Sequence, residues 1–224
     1  MVGMKRDWRA KGDALLVKGK YSDAIKAYDK AIKINPQIVE VWYKKGLALD
    51  ILGKHEGAIK AFDRAIEIDP QFAIAWTNKG NVLLKLRKFE DAIKALDKAI
   101  EIKPDSDDAW HNKGVALVWL DRPEDAIKSY SKAIELNPND PDSWLNIGAA
   151  FGILGKLEDA SKAFNRAIEI NPTDADAWRN KSNVLRLLGR TREAYMAFVK
   201  ANELGYQEDQ PFRLLSPIKK EGIK

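Results

Sequence analysis

Few residues in this sequence could take part in acid–base, nucleophilic or metal chemistry. The 224 residues include two histidines, His55 and His111, and no cysteine. Catalysis by a general base needs partner groups within hydrogen-bonding reach, and a zinc site needs three or four protein ligands. The histidines lie in the separate segments GKHEGA and WHNKGVALVWL, and no glycine-rich phosphate loop is present. We therefore predict no catalytic residue, no metal site, no cofactor and no enzymatic activity.

The composition is that of a folded protein with a moderate basic excess. Hydrophobic residues make up 45% and charged residues 32%, and 38 basic against 33 acidic residues give a formal charge of +5. No apolar run approaches the roughly 18 residues of a membrane span, and the start, MVGMKRDW, lacks the apolar segment of a secretory signal. We expect no membrane partner and a cytoplasmic location. A nucleic-acid surface would need a purer basic stripe, so nucleic acid is not an expected partner.

The elements that carry these residues repeat along the chain. Six tryptophans are spaced by 34 residues: Trp8, Trp42, Trp76, Trp110, Trp144 and Trp178. Four residues after each stands a glycine or, in the last case, a serine: Gly12, Gly46, Gly80, Gly114, Gly148 and Ser182. A large apolar residue lies between two alanines in each period: Tyr28, Phe62, Leu96, Tyr130, Phe164 and Phe198. Prolines close five of the periods: Pro36, Pro70, Pro104, Pro138 and Pro172. Such a period indicates a repeat protein.

Each period predicts a pair of antiparallel helices. In SDAIKAYDKAIKI the apolar residues follow the i, i+3, i+4, i+7 spacing of an amphipathic helix. The segment between Trp and Gly predicts a first helix, whose small residue lets the second helix approach closely while the aromatic fills the adjoining space. Glycines are expected to take the left-handed conformation in the connecting turn: Gly19, Gly53, Gly155 and Gly189. Arg87 and Asp121 replace this glycine in two repeats, with a small local cost expected at Arg87.

The pattern of Trp, small residue, Ala, aromatic, Ala and Pro resembles the tetratricopeptide repeat (TPR) family, with six 34-residue repeats. This resemblance implies an all-α fold, a right-handed α-solenoid of stacked antiparallel helix hairpins whose first helices line a concave groove. We predict a leader over residues 1–4 and six units over 5–208: 5–38, 39–72, 73–106, 107–140, 141–174 and 175–208. Residues 209–224 are predicted to form a short capping helix, in PFRLLS, and a basic tail.

The groove is the predicted functional site. Asparagine recurs two places after Trp, and its amide offers both a donor and an acceptor to the backbone of an extended peptide. This row resembles the asparagine ladder in the TPR superhelix of O-linked N-acetylglucosamine transferase; alternatively, the amides serve the local fold or bind water. The variable residue after each Trp is expected to face the groove, and for His111 we favour a solvated or hydrogen-bonding role. The predicted groove residues are Tyr43, Asn78, Asn81, His111, Asn112, Val115, Trp119, Leu145, Asn146, Arg179, Asn180 and Asn183.

The resemblance implies a non-enzymatic scaffold or adaptor for protein interactions that binds an extended peptide segment of a protein partner. Chaperone-binding TPR modules hold a terminal carboxylate with cations, but Thr77, Asp142 and Asn146 stand where those cations are needed. We therefore do not predict binding of chaperone tails. The alternative function is a self-associating structural module with no groove ligand. We expect a monomer or a weak homodimer formed through the C-terminal end.

Overall fold

A computed structural model describes residues 7–206, and twelve α-helices account for most of this range. The helices are α1 (Trp8–Val17), α2 (Tyr21–Ile34), α3 (Val39–Ile51), α4 (His55–Ile68), α5 (Ala73–Lys85), α6 (Phe89–Ile102), α7 (Asp107–Trp119), α8 (Pro123–Leu136), α9 (Pro141–Ile153), α10 (Leu157–Ile170), α11 (Ala175–Leu187) and α12 (Thr191–Glu203). They form antiparallel pairs in chain order, one pair for each sequence period. The predicted all-α fold of stacked helix hairpins is confirmed. The predicted leader and the capping helix with its basic tail lie outside the described residues.

The chain divides into two compact units, one with α1–α6 and one with α7–α12. Within each unit every helix packs against the next, and the first helices of neighbouring hairpins also touch, as α7 does α9 and α9 does α11. In the second unit the core around Phe164 includes Leu145, Ala177 and Val184, which come from the neighbouring helices α9 and α11. Each hairpin therefore covers the apolar face of the next, as expected for a repeat fold.

The packing inside each hairpin explains the spacing of glycine and aromatic residues. A Cβ atom added to Gly114 would lie 2.6 Å from Cε1 of Tyr130, and one added to Gly46 would lie 2.5 Å from Cε1 of Phe62. No side chain fits at these distances, so the ring of the second helix rests directly on the backbone of the first. The last hairpin differs: Ser182 has a side chain, and its hydroxyl donates a hydrogen bond to the carbonyl of Ala194 at 2.8 Å.

The six repeated tryptophans are half-buried, and four of them, Trp42, Trp76, Trp144 and Trp178, lie at junctions between hairpins of one unit. Nε1 of Trp144 donates a hydrogen bond to the carbonyl oxygen of Pro138 at 2.9 Å, across the turn from the preceding hairpin. Trp42, Trp76 and Trp178 make the same bond to the proline six residues before them. In these four junctions the tryptophan and the proline thus hold one hairpin in register with the next.

The turns and caps follow the sequence closely. Gly19, Gly53, Gly155 and Gly189 have positive φ angles, and in the two exceptional turns Arg87 and Asp121 have φ of 58° and 56°. Those two residues therefore hold the left-handed conformation that glycine adopts without steric cost. Three first helices also have side-chain N-caps: Ser106, Asp140 and Asp174 accept hydrogen bonds from backbone N–H groups in the first turns of α7, α9 and α11.

Candidate functional site

The structure distributes the twelve predicted groove residues over both units. The first unit holds Tyr43, Asn78 and Asn81, and the second holds the other nine. Eight side chains are buried: Asn78, Asn81, His111, Asn112, Val115, Leu145, Asn146 and Asn180. Tyr43, Arg179 and Asn183 are half-buried, and Trp119 is exposed. The second unit therefore contains most of the predicted site. Its members include both buried and exposed side chains.

Three of the residues that follow a repeated tryptophan are buried, namely Thr77, His111 and Leu145, whereas Arg9 is exposed. The expectation that this position faces the groove stays a prediction. His111 retains only 2% of its exposure. Its imidazole ring meets the ring of Tyr130 edge-on, with 5.6 Å between centroids. For His111, the favoured hydrogen-bonding role is the one observed.

His111 belongs to a buried polar network between α7 and α9. Its Nδ1 lies 2.7 Å from Oγ of Ser143, and that hydroxyl lies 2.5 Å from Oδ2 of Asp140, the N-cap of α9. The same Oδ2 also accepts the backbone N–H of Ser143 at 3.1 Å. On the other side of the ring, Nδ2 of Asn146 lies 3.5 Å from Nε2. The sequence analysis missed Asp140 and Ser143 as partners of this histidine.

The proton arrangement follows from the donors available. Ser143 has one hydroxyl hydrogen, and the short distance to the Asp140 carboxylate assigns it to that bond. Nδ1 of His111 must then carry a proton and donate to the serine oxygen, which leaves Nε2 to accept from Asn146. Ser, His and Asp also form hydrolytic triads, but there the histidine takes the serine proton. Here Ser143 is fully buried and points at Asp140, so the network joins two hairpins.

The asparagines two places after the repeated tryptophans make contacts inside the protein rather than at its surface. In the first unit, Nδ2 of Asn78 donates to the carbonyl of Ile74 at 2.9 Å and to the hydroxyl of Tyr43 at 3.3 Å. In the second unit, Oδ1 of Asn146 is buried with no hydrogen-bond partner among residues 7–206. Such an orphan acceptor costs about 1–3 kcal/mol. Nδ2 of Asn78 thus bonds its own helix as well as the preceding hairpin, and Nδ2 of Asn146 lies against His111 of the preceding hairpin.

An exposed apolar row runs along the ends of the first helices in the second unit. Trp119, Ile153 and Leu187 occupy the last position of α7, α9 and α11, and they are 43%, 44% and 62% exposed. We call these three residues the apolar row. The three residues are spaced by 34 positions in the sequence, and this shared spacing was the signal that could have identified the whole row.

A cavity of about 390 Å³ lies beside the apolar row, between α9, α10 and α11. Its lining is mostly apolar: Ala149, Gly152, Ile153, Leu157, Phe164, Val184 and Leu187, with Asn180, Asn183 and Arg186 as the polar members. A Cβ atom added to Gly152 would meet nothing within 4 Å, so the cavity is open next to this glycine. Among residues 7–206, the side chains of Asn180, Asn183 and Arg186 make no hydrogen bond or ion pair with one another or with any neighbour. The cavity thus combines an apolar wall with polar groups that have no partner within the described protein.

Comparison with known proteins identifies the family. The family model described as the cilia and flagella-associated protein 70 C-terminal domain, a TPR domain, matches residues 3–214. The chain belongs to this TPR family. A search of curated proteins finds no match to the TPR chain.

Solved structures similar to the TPR chain share its fold over most of their length. The crystal structure of MamA is 26% identical with a TM-score of 0.68, covering 71% of this chain and 93% of MamA. YrrB, described as a TPR protein with an unusual peptide-binding site, is 26% identical with a TM-score of 0.69, covering 81% and 93%. PilF of Pseudomonas aeruginosa, at 17% identity and a TM-score of 0.77 over 88% and 90%, agrees in fold alone. TPR proteins of this kind are protein-interaction scaffolds.

None of the helices between residues 7 and 206 is long and apolar enough to cross a membrane. Within the same range, no group of three or more His, Asp or Glu side chains is placed to hold a metal ion.

Proposed function

We propose that the chain is a non-enzymatic, cytoplasmic scaffold that binds an extended peptide segment of a partner protein. The observation that carries this proposal is the cavity between α9 and α11, which opens beside two asparagines with uncommitted amides. An amide can donate to a peptide carbonyl and accept from a peptide N–H at the same time. Small-molecule and peptide pockets are typically apolar with a few such convergent polar groups.

The proposed site refines the predicted groove. Asn180 and Asn183 contact the peptide backbone, and Trp119 contacts an apolar side chain next to them. Asn78 and Asn146 act through the packing of neighbouring hairpins, because their amide nitrogens are already engaged inside the protein. The peptide-binding description of YrrB supports the proposal by likeness, since that protein has the same fold at 26% identity.

Charge on the outer helices supports a protein partner over nucleic acid. Five cations on successive second helices each pair with the glutamate three residues later: Arg64–Glu67, Lys98–Glu101, Lys132–Glu135, Arg166–Glu169 and Lys200–Glu203. Nucleic-acid binding depends on lysine and arginine that are available to neutralise phosphates. These five pairs neutralise the outer surface locally, so it lacks the basic stripe that binding would need.

A library of random peptides displayed on phage tests the proposal. The wild-type chain is expected to enrich a set of peptides, and the double variant Asn180→Ala/Asn183→Ala is expected to lose them. Asn202→Ala, at an exposed position of α12, is the control and should enrich the same peptides. Circular dichroism should show that all three proteins remain helical. Absence of any enriched peptide on the wild-type chain would make the proposed function wrong.

One observation favours the alternative of self-association. On α12, Tyr195 is 67% exposed, whereas the residues at the corresponding position of the other second helices are buried or half-buried, and the neighbouring Met196 is 64% exposed. A second copy of the chain could bury this face. Light scattering on wild type and on Tyr195→Glu/Met196→Glu tests it: a dimer that the variant converts to a monomer supports self-assembly, and a monomeric wild type contradicts it.

A further inference from the structure

We propose that the cavity of the second unit, together with the apolar row, binds a peptide segment with two large apolar side chains followed by an acidic residue. This inference rests on the proposed function and specifies the chemistry of its ligand. One apolar side chain packs on Trp119, the second enters the cavity beside Gly152, and the acidic side chain pairs with Arg186.

The apolar part of the recognition comes from exposed surface that the fold leaves uncovered. Ile153 and Leu187 line the apolar cavity, and the side chains of both are exposed to solvent. A volume of about 390 Å³ accommodates a large aliphatic or aromatic side chain with part of its backbone. Burying these exposed groups supplies the favourable free energy of binding, because removal of apolar surface from water drives association.

The acidic part comes from charge complementarity at the cavity. Arg186 is the only charged residue in the described lining, and no carboxylate among residues 7–206 pairs with it. The nearby arginine Arg190, by contrast, is already bound to Glu193. A guanidinium recognises a carboxylate through two parallel hydrogen bonds. An acidic ligand side chain therefore gains a partner here, whereas a basic one meets an uncompensated positive charge.

The spacing of the two apolar side chains follows from the packing of the hairpins. The first helices of neighbouring hairpins touch, and packed helices have axes about 8–10 Å apart. An extended segment in the polyproline II conformation rises about 3.1 Å per residue with three residues per turn, so side chains three residues apart lie on one face at about 9 Å. The apolar residues of the ligand are therefore expected three positions apart.

Selection from the displayed peptide library on three proteins tests this assignment. Peptides enriched on wild type should carry two large apolar residues three positions apart, followed by Asp or Glu. Peptides enriched on Arg186→Glu should carry Lys or Arg at the acidic position, since the charge that selects it is reversed. The matched control Arg192→Glu changes the net charge equally at an exposed position of α12 and should keep the wild-type preference.

Filling the cavity provides an independent measurement. Gly152→Leu places a side chain into open space, so the variant should fold, and thermal unfolding checks this. Its affinity for a selected wild-type peptide, measured by fluorescence anisotropy, should fall about tenfold or more, as expected when one apolar anchor is lost. Wild-type enrichment that is insensitive to both Gly152→Leu and Arg186→Glu would overturn the ligand assignment while leaving peptide binding intact. No enrichment on wild type would instead reject the proposed function itself.

Discussion

The hydroxyl of Tyr28 donates a hydrogen bond to Asp13 at 2.9 Å, whereas the hydroxyl of Tyr130, at the same repeat position, is buried with no hydrogen-bond partner among the described residues. Phenylalanine occupies this position in three other repeats, as Phe62, Phe164 and Phe198. The same substitution should therefore have opposite effects. Tyr28→Phe should lower the free energy of unfolding by about 1 kcal/mol, and Tyr130→Phe should raise it by about 1 kcal/mol. Urea denaturation of both variants measures this, and equal effects would contradict it.

The same two tyrosines predict a loss of stability in alkali. Burial raises the pKa of Tyr28, with a further contribution from its hydrogen bond to Asp13, and burial raises the pKa of Tyr130 well above its usual value. In the unfolded chain tyrosine ionises near about pH 10. Their contribution is therefore complete below that pH and is lost as the pH rises above it. Urea denaturation at about pH 9 and about pH 11 should show a smaller loss in Tyr28→Phe/Tyr130→Phe than in wild type.

The buried network between α7 and α9 predicts strong coupling between two substitutions. Ser143→Ala removes the hydroxyl that lies 2.7 Å from Nδ1 of His111 and leaves the Asp140 carboxylate 3.7 Å from that nitrogen. Loss of a buried hydrogen bond of this kind costs about 1–3 kcal/mol. His111→Leu/Ser143→Ala installs the residue types found at the corresponding places of the next junction, Leu145 and Ala177. The double variant should be more stable than the sum of the single effects implies, by about 1 kcal/mol or more. Additive effects in a double-mutant cycle would show that the two side chains do not interact.

Two helical glycines of the second unit should respond differently to alanine. In Gly114→Ala the new methyl group would lie 2.6 Å from Cε1 of Tyr130, so the hairpin must open, at about 1–3 kcal/mol. In Gly152→Ala the methyl group meets nothing within 4 Å, and the helix gains about 0.5–1 kcal/mol from the loss of glycine. Thermal unfolding of the pair checks both signs.

The backbone of the turn between α5 and α6 is strained at Arg87, and a substitution by glycine should relieve the strain. Arg87 has a φ of 58°, a conformation that costs about 1–2 kcal/mol for a residue with a Cβ. Arg87→Gly should therefore be more stable than Arg87→Ala, and because both variants lose the arginine side chain, the difference reports the backbone alone. At Asp121, with a φ of 56°, the glycine variant should gain less, since aspartate tolerates this conformation better. Chemical denaturation of the variants would show no difference if the turn relaxes.

The sequence was sufficient for the hairpins because each of their contacts recurs every 34 residues. The pairing of Gly114 with Tyr130 appears in equivalent form in other repeats, so the spacing itself records the contact. The network of His111 occurs once and joins residues 32 positions apart on different hairpins. The pattern within one repeat places His111 on a helix. It does not show which side of that helix the neighbouring hairpin covers.

A signal for that network was nevertheless present. The residue before each repeated tryptophan is Val41, Ala75, Ala109 and Ala177 in the other junctions, and Ser143 alone is polar among these five. A polar residue in an otherwise aliphatic position predicts a buried hydrogen bond. The cavity is harder to predict from the sequence, since it depends on the small residues Gly152 and Ala149 together and on the space left between three helices.

The bonds from Trp42, Trp76, Trp144 and Trp178 to the proline six residues before each make the array modular within each unit. Donor and acceptor are so close in the chain that each junction forms without help from distant repeats. Excision or duplication of one complete 34-residue period therefore leaves every remaining junction with its own tryptophan and proline. The chain can accordingly lengthen or shorten by whole repeats during evolution while each surviving hairpin keeps its register, and a change of any other length breaks a junction.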